Sequence, residues 1–267
     1  MSALPVLGTD EVLAESHGAV LCVTLNRPQA MNALTGAMLA ALEEAAIFTD
    51  RSDEVRVLLL TGMGKAFCAG ADLKAFDAAQ DVQPGEPDFL ELAARAIGRV
   101  RAVRKPVIAA LNGTTMAGGL ELAMCADLIT AADTARIGDG HANFGVYPGA
   151  GGAAVLPRLV PPQMAMYLLF TGKTVTAAQM QALGLVCEVH PAQQLQAATL
   201  ALAQHVAARS PAGLRRMKEV ARAAADKSLD DALLHEQVML REHLRSADMA
   251  EGLRAFNDKR APVFTGR

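Results

Sequence analysis

The sequence predicts an α/β protein that ends in a helical region. Between residue 12 and about residue 190, short apolar runs of strand length alternate with longer segments of helical periodicity. From Pro191 to the end the strand-type runs vanish, and Ala- and Leu-rich segments carrying Lys and Arg take over. Two glycine-rich passages, Gly62 to Leu73 and Asn112 to Glu121, each follow directly on an apolar run. With 267 residues and 52% apolar residues, the chain is long enough for a large core, in one large domain or one domain plus an appendage. The change of pattern divides it into an α/β core over 1–190 and a helical region over 191–267.

Val12 to Ser16 and Ala19 to Leu25 read as a hairpin about His17-Gly18, and Asn26-Arg27-Pro28 ends it. Thr35 opens a helix through Phe48, with Met38, Leu39, Leu42, Ala45 and Ala46 at helical spacing. Val55 to Thr61 is apolar enough for a strand buried on both faces. Asp77 to Asp88 is polar, contains Pro84-Gly85 and Pro87, and reads as a mobile loop. Phe89 to Val103 reads as a helix, Pro106 to Leu111 as a buried strand, and Leu122 to Cys125 as part of a helix. Asp127 to Ala131 reads as a strand, and Arg136 to Gly138 is a short apolar piece. Helices follow from the Pro148 to Gly152 segment to Leu159, from Pro161-Pro162 to Phe170, and from a Thr176 cap to Leu183. Val186 to Val189 is the last expected strand, and Ser210-Pro211 and Lys227-Ser228 break the helices beyond it.

The passage Asn112 to Glu121 carries the most chemistry. Its glycine pair, Gly118-Gly119, stands at a helix start, where the first amides have no helical partner. Such amides can hold an oxygen that becomes negative. Glu121 lies about one turn on, on roughly the same face, and can move a proton beside that oxygen. On the residues of this passage alone, a tight strand-to-helix turn with a helix-entry acid is the better-favoured reading. The second passage strengthens the chemical reading. If both preceding strands share a sheet, both loops emerge at one edge, and glycines let their backbones approach one oxygen.

Other chemistries fit poorly. The net charge of −3 comes from both signs spread along the chain, with no basic stripe for nucleic acid. Cys22, Cys68, Cys125 and Cys187 are far apart without metal spacing, and three lie in apolar runs, as reduced thiols in a cytoplasmic protein do. Met1 to Asp10 does not read as a signal peptide, and no run is long enough to span a membrane. Gly149 to Ala154 matches a dinucleotide pattern but lacks a preceding buried strand, and no acid occurs between Asp139 and Glu188. No serine sits in a nucleophile elbow and no histidine pair has metal spacing. His141, among glycines, reads by itself as a surface loop residue.

Several segments belong together: Leu25-Asn26-Arg27-Pro28 with Asn32-Ala33-Leu34, Ala66 to Leu73, Lys105 to Gly113, Gly118 to Ala123, Gly145 to Gly152 and Phe256 to Pro262. In combination they resemble the crotonase superfamily, the enoyl-CoA hydratase/isomerase family, and the likeness covers nearly everything from Val20 to the C-terminus. The resemblance implies a crotonase-like spiral of β-β-α units with a helical C-terminal oligomerisation region that forms trimers, often paired as hexamers. It implies an acyl-CoA thioester substrate and neither a metal nor a cofactor beyond the coenzyme A of the substrate. By position, the amides of Ala71 and Gly118 would form an oxyanion hole. The backbone near Ala30, Met31 and Ala69 would line the CoA site, and Phe256 and Lys259 would reach a CoA in a neighbouring subunit. Enolate chemistry at a thioester gives the glycine passages and Glu121 a common purpose.

The likeness has one break. Family hydratases use two glutamates. One matches Glu121, and ungapped alignment through Gly138 and Gly145 puts His141 at the other. A Glu–His pair can still divide the work, with Glu121 activating water and protonated His141 donating to the α-carbon. The expected function is hydration of an enoyl-CoA, or dehydration in reverse. The substitution leaves open isomerisation, decarboxylation, thioester hydrolysis, or acyl-CoA binding without chemistry.

Overall fold

A computed structural model describes residues 4–74 and 87–267 of the chain. The expected loop from Asp77 falls, up to residue 86, outside the described residues. Among the described residues, ten strands form two sheets. Six of them, β1 (Val12–His17), β2 (Val20–Leu25), β3 (Val57–Gly62), β5 (Val107–Leu111), β7 (Leu128–Ala132) and β10 (Glu188–His190), lie side by side in that order. Only the β1–β2 hairpin is antiparallel in this sheet. The others, β4 (Ala66–Cys68), β6 (Thr114–Met116), β8 (Arg136–Gly138) and β9 (Thr174–Thr176), form the second sheet. A strand of the first sheet is thus followed by one of the second and then by a helix, three times over. This is the spiral of β-β-α units that the family resemblance implies.

The core strands explain themselves. Every residue of β3 and β5 is buried, which their unbroken apolar runs require. Helix α1 (Gly36–Arg51) begins where the Thr35 hydroxyl accepts the Met38 amide, and it buries Met38, Leu39, Leu42 and Ala46. Helix α2 (Phe89–Arg101) opens with a reciprocal capping box between Asp88 and Glu91. Helix α3 (Gly118–Ala123) is six residues long and buried throughout. Helices α4 (Gly152–Leu159), α5 (Pro162–Thr171) and α6 (Ala177–Ala182) complete the α/β part.

Three strands of the second sheet differ from expectation. Residues of β4, β6 and β9 lie where the sequence shows only glycine-rich turns or a helix cap, because three residues are too few for an alternation to register. Close backbone approach makes their pairing possible. A Cβ on Gly62 would sit 2.4 Å from the Ala66 carbonyl oxygen, and one on Gly113 would sit 2.1 Å from that of Lys65. Two asparagines brace these turns. Asn112 accepts from the Gly62 amide and donates to the Gly64 and Ala66 carbonyls. Buried Asn32 accepts from the Arg27 amide and donates to the Met63 and Ala66 carbonyls. The last strand is shifted as well. Val186 donates to Met180 in the exit from α6, so pairing with β7 starts only at Cys187, which donates to Ile129 at 2.7 Å.

Beyond residue 191 the chain is helical, as expected. Helix α7 (Leu195–Ala207) lies on the large sheet with Leu195, Thr199, Ala203 and Ala207 buried. Helix α8 (Pro211–Ala224) is tied to the core by two cations. Lys218 donates to Asp127 and to the Lys105 carbonyl, and Arg222 donates to Asp127 and to the Cys125 and Arg101 carbonyls. Helix α9 (Leu229–His243) buries none of its residues, and α10 (Ala247–Asn257) leaves Leu253 and Phe256 exposed. Asp248 anchors the end of the chain, accepting from the Ser210 hydroxyl and from the Thr265 and Gly266 amides. No helix among the described residues is long and apolar enough to cross a membrane.

Candidate active site

Strands β3 and β5 are parallel neighbours, so the passages after them leave the sheet at the same edge. One passage runs through β4 to Ala69-Gly70-Ala71, and the other through β6 to Ala117-Gly118. Leu34, just before α1, holds the first in place, donating to the Gly70 carbonyl and accepting from the Asp72 amide. The two passages then touch. Gly70 has φ 111°, and a Cβ there would come within 2.9 Å of the Ala117 Cβ. A Cβ on Gly118 would lie 3.6 Å from the Ala71 nitrogen. Neither the Ala71 nor the Gly118 amide hydrogen-bonds to another described residue.

Ala117 has φ 47° and ψ −122°, a combination costly for any residue with a side chain. This turn swings the chain from β6 into α3 and sets the direction of the Gly118 amide. Gly119 then packs against β4 so closely that a Cβ would fall 2.1 Å from the Cys68 carbonyl oxygen. Only glycine allows α3 to sit there.

Glu121 is 3% exposed. Its Oε1 accepts from the Ala150 amide and the Gly152 amide, both at 2.8 Å. These donors belong to the turn into α4, which the sequence shows only as a glycine-rich segment. The grip fixes the carboxylate with one oxygen fully engaged and leaves Oε2 for other work.

His141 opens a one-turn 3₁₀ helix, His141–Phe144, after Gly140 at φ 78°. Its ring is largely buried rather than at the surface. Nδ1 lies 2.8 Å from Asp139 Oδ1, which also accepts the His141 backbone amide at 3.2 Å. Burial by itself pulls the His141 pKa down. The hydrogen bond to Asp139, the Asp139 charge and the Glu121 charge outweigh it, so the pKa lies above the ordinary 6.5. The stabilisation of the imidazolium is therefore present below the ordinary value and is lost as pH rises through the elevated one. Asp139 is the residue that sequence reasoning missed. Its only signal is an acid separated from the histidine by one glycine able to turn.

Glu121, His141, Ala71 and Gly118 line one cavity of about 580 Å³. Met31 and Ala69 line it too, and the Ala69 amide donates to the Met31 carbonyl at 3.0 Å. Much of the rest of the wall is apolar, including Leu34, Phe89, Ala93, Ile97 and Phe144, with the acids Asp88 and Glu91 also lining it. Ala30 lies beside Met31 in a short 3₁₀ turn, Pro28–Ala30. Phe256 and Lys259 are not brought to the cavity. Phe256 is 82% exposed on α10, and Lys259 turns the chain just after it at φ 54°. The buried thiols are held protonated by burial, Cys68 pushed up to about 12 and Cys125 to about 11, so neither serves as a nucleophile. No cluster of three or more metal-binding side chains occurs among the described residues.

A sequence model of the enoyl-CoA hydratase/isomerase family matches residues 15–267. The chain belongs to this family. Among its members, a probable enoyl-CoA hydratase of Mycobacterium leprae is 38% identical over 258 residues, covering 97% of this chain and 99% of the relative. A 1,2-epoxyphenylacetyl-CoA isomerase of Escherichia coli is 35% identical, covering 96% of this chain and 98% of the relative. The crystal structure of an enoyl-CoA hydratase from Mycobacterium marinum superposes with a TM-score of 0.89 at 34% identity, covering 97% of this chain and all of that one. Membership in the enoyl-CoA hydratase/isomerase family bears out the resemblance read from the sequence, and the crotonase fold with it.

Proposed function

We propose that the protein is an enoyl-CoA hydratase-type enzyme that adds water to the conjugated double bond of an acyl-CoA thioester, and removes it in reverse. The observation that carries this reading is the juxtaposition of the Ala71 and Gly118 amides, unbonded among the described residues, with the gripped carboxylate of Glu121 in one mainly apolar cavity. The thioester oxygen sits between the two amides. Glu121 Oε2 takes a proton from water as its oxygen bonds to the β-carbon. The electron pair of the double bond moves onto the thioester oxygen as an enolate, which the amides hold. One such donor is typically worth about 2.7–4 kcal/mol. The His141 imidazolium then gives its proton to the α-carbon. Coenzyme A enters only as part of the substrate, against the backbone near Ala30, Met31 and Ala69.

The test is turnover. Wild-type protein, given short-chain, medium-chain and branched enoyl-CoAs, is expected to remove the enoyl-thioester absorbance and yield a product heavier by one water. No turnover across the panel sinks the reading. A product of unchanged mass would move the chemistry to isomerisation, and loss of carbon dioxide from a malonyl-type CoA to decarboxylation.

The helical region from residue 191 on is proposed to assemble the chain into homotrimers, singly or as hexamers. Supporting this, α9 buries nothing in the single chain while Leu229, Leu233, Leu234 and Leu240 stand exposed. Large apolar areas of this kind are covered in the working form of a protein. In the assembly, Phe256 and Lys259 meet the CoA of a neighbouring subunit. Sedimentation is expected to give three or six times the 27.9 kDa chain mass. A monomer at micromolar concentration refutes the assembly.

A further inference from the structure

We propose that Asp139 is a positioning residue of the proton-transfer site, holding the His141 imidazole with its Nδ1–H on the carboxylate and leaving Nε2 as the nitrogen open to the cavity. The inference deepens the hydratase reading and rests on it for its effect on turnover.

The geometry is specific. Asp139 is completely buried, at the end of β8, and Gly140 in the left-handed region folds His141 back over it. One oxygen, Oδ1, takes both the ring Nδ1 and the backbone amide of His141. The other, Oδ2, has no hydrogen-bond partner among the described residues. A backbone anchor alone does not need a carboxylate, because an asparagine oxygen accepts the same amide. A buried anion with one oxygen unpaired is expensive unless a cation stands beside it. The imidazolium is that cation. Gly152 makes room for the arrangement, since a Cβ there would lie 2.6 Å from Asp139 Oδ2. The same residue's amide grips Glu121. The turn into α4 therefore touches both carboxylates and fixes the acid pair relative to one another.

With Nδ1 taken, only Nε2 can deliver a proton to substrate carbon. The charged groups acting on the ring are Asp139 from its own segment and Glu121 from α3. Asp88 and Glu91 at the start of α2, and Tyr147, line the same cavity. Both nearby anions favour the protonated ring, the state a general acid needs. Activity that depends on this proton falls as pH rises through the His141 pKa.

Asp139→Asn tests the assignment. In ¹⁵N-labelled protein, the His141 titration midpoint is expected to fall by at least about one pH unit. The high-pH limb of kcat should move down with it, and kcat at neutral pH should fall at least about tenfold with KM little changed. In a His141→Gln background the same substitution should leave kcat unaltered, because Asp139 then has no ring to act through. An unchanged titration midpoint and pH limb in Asp139→Asn overturn the proposal. Should that variant fail to fold, the wild-type spectrum decides. A neutral His141 carrying its proton on Nε2 overturns the proposal, and one carrying it on Nδ1 supports it. A shifted titration in a chain that hydrates no enoyl-CoA supports the Asp139–His141 coupling and refutes the hydratase reading, so the two failures are distinguishable.

Discussion

Glu121→Gln is expected to lower kcat for enoyl-CoA hydration by about 10²–10⁴-fold while changing KM little. The substitution is close to isosteric, and the amide oxygen of glutamine can still accept from Ala150 and Gly152. These donors sit at 2.8 Å from the present Oε1 and select oxygen over nitrogen at that place. The other end of the side chain then becomes an NH₂ group where Oε2 had been. It cannot take a proton from water. The fold should survive, losing about 1–2 kcal/mol as a charge-assisted pair of hydrogen bonds becomes a neutral one. Binding should survive too, since the Ala71 and Gly118 amides and the apolar wall are untouched. Thermal unfolding and acyl-CoA affinity, measured beside the kinetics, separate these contributions. An unchanged kcat would show that Glu121 is only the anchor of the α4 turn, the helix-entry acid of the plainer reading.

That plainer reading persisted at the level of sequence for a physical reason. Glu121 is visible from its spacing after Gly118, but what gives it a function is the grip of Ala150 and Gly152, 29 and 31 residues away. The strands β3 and β5 were legible because both faces are buried and the apolar runs are continuous. The start of α1 was legible because Thr35 caps it locally. The short strands β4, β6 and β9 were not, because their pairing depends on how closely Gly62 and Gly113 let other backbones approach. Asp139 was hidden for the same kind of reason. An acid two residues before a histidine looks like a solvated loop until the packing around β8 buries it completely. Local signals thus fixed the elements, and the parts of the site that depend on contact between distant segments became readable only in three dimensions. The family likeness names Ala71 and Gly118, and both line the cavity that holds Glu121 and His141. Asp139 was not among the residues that likeness named, and the partner of its carboxylate is the residue where this chain departs.

His141→Glu is the sharper test of that departure, because it installs the residue the family likeness expects and is nonetheless expected to do harm. The change removes the imidazolium paired with Asp139 and adds an anion. Asp139 is fully buried with Oδ2 unpartnered among the described residues, and Glu121 is 3% exposed with a fixed orientation. The raised pKa of His141 already reports a place that favours positive charge. Removing one partner of a buried ion pair costs about 3–5 kcal/mol. In a chain of this size that lowers Tm by roughly 6–20 °C. Activity should fall with it at neutral pH, since the new carboxyl, if ionised, has no proton to give. The deficit should shrink as pH falls, because protonating any one of the carboxyls relieves the repulsion. Adding Asp139→Asn in the same chain should restore most of the lost stability by removing the buried charge at its source. Thermal unfolding of the single and double variants across pH 5–8 is the measurement. If His141→Glu is as stable as wild type at neutral pH, the Asp139 charge is not what holds histidine at this position. If the single variant is unstable and the double variant recovers, the acid at 139 and the histidine at 141 are one unit, and each accounts for the other.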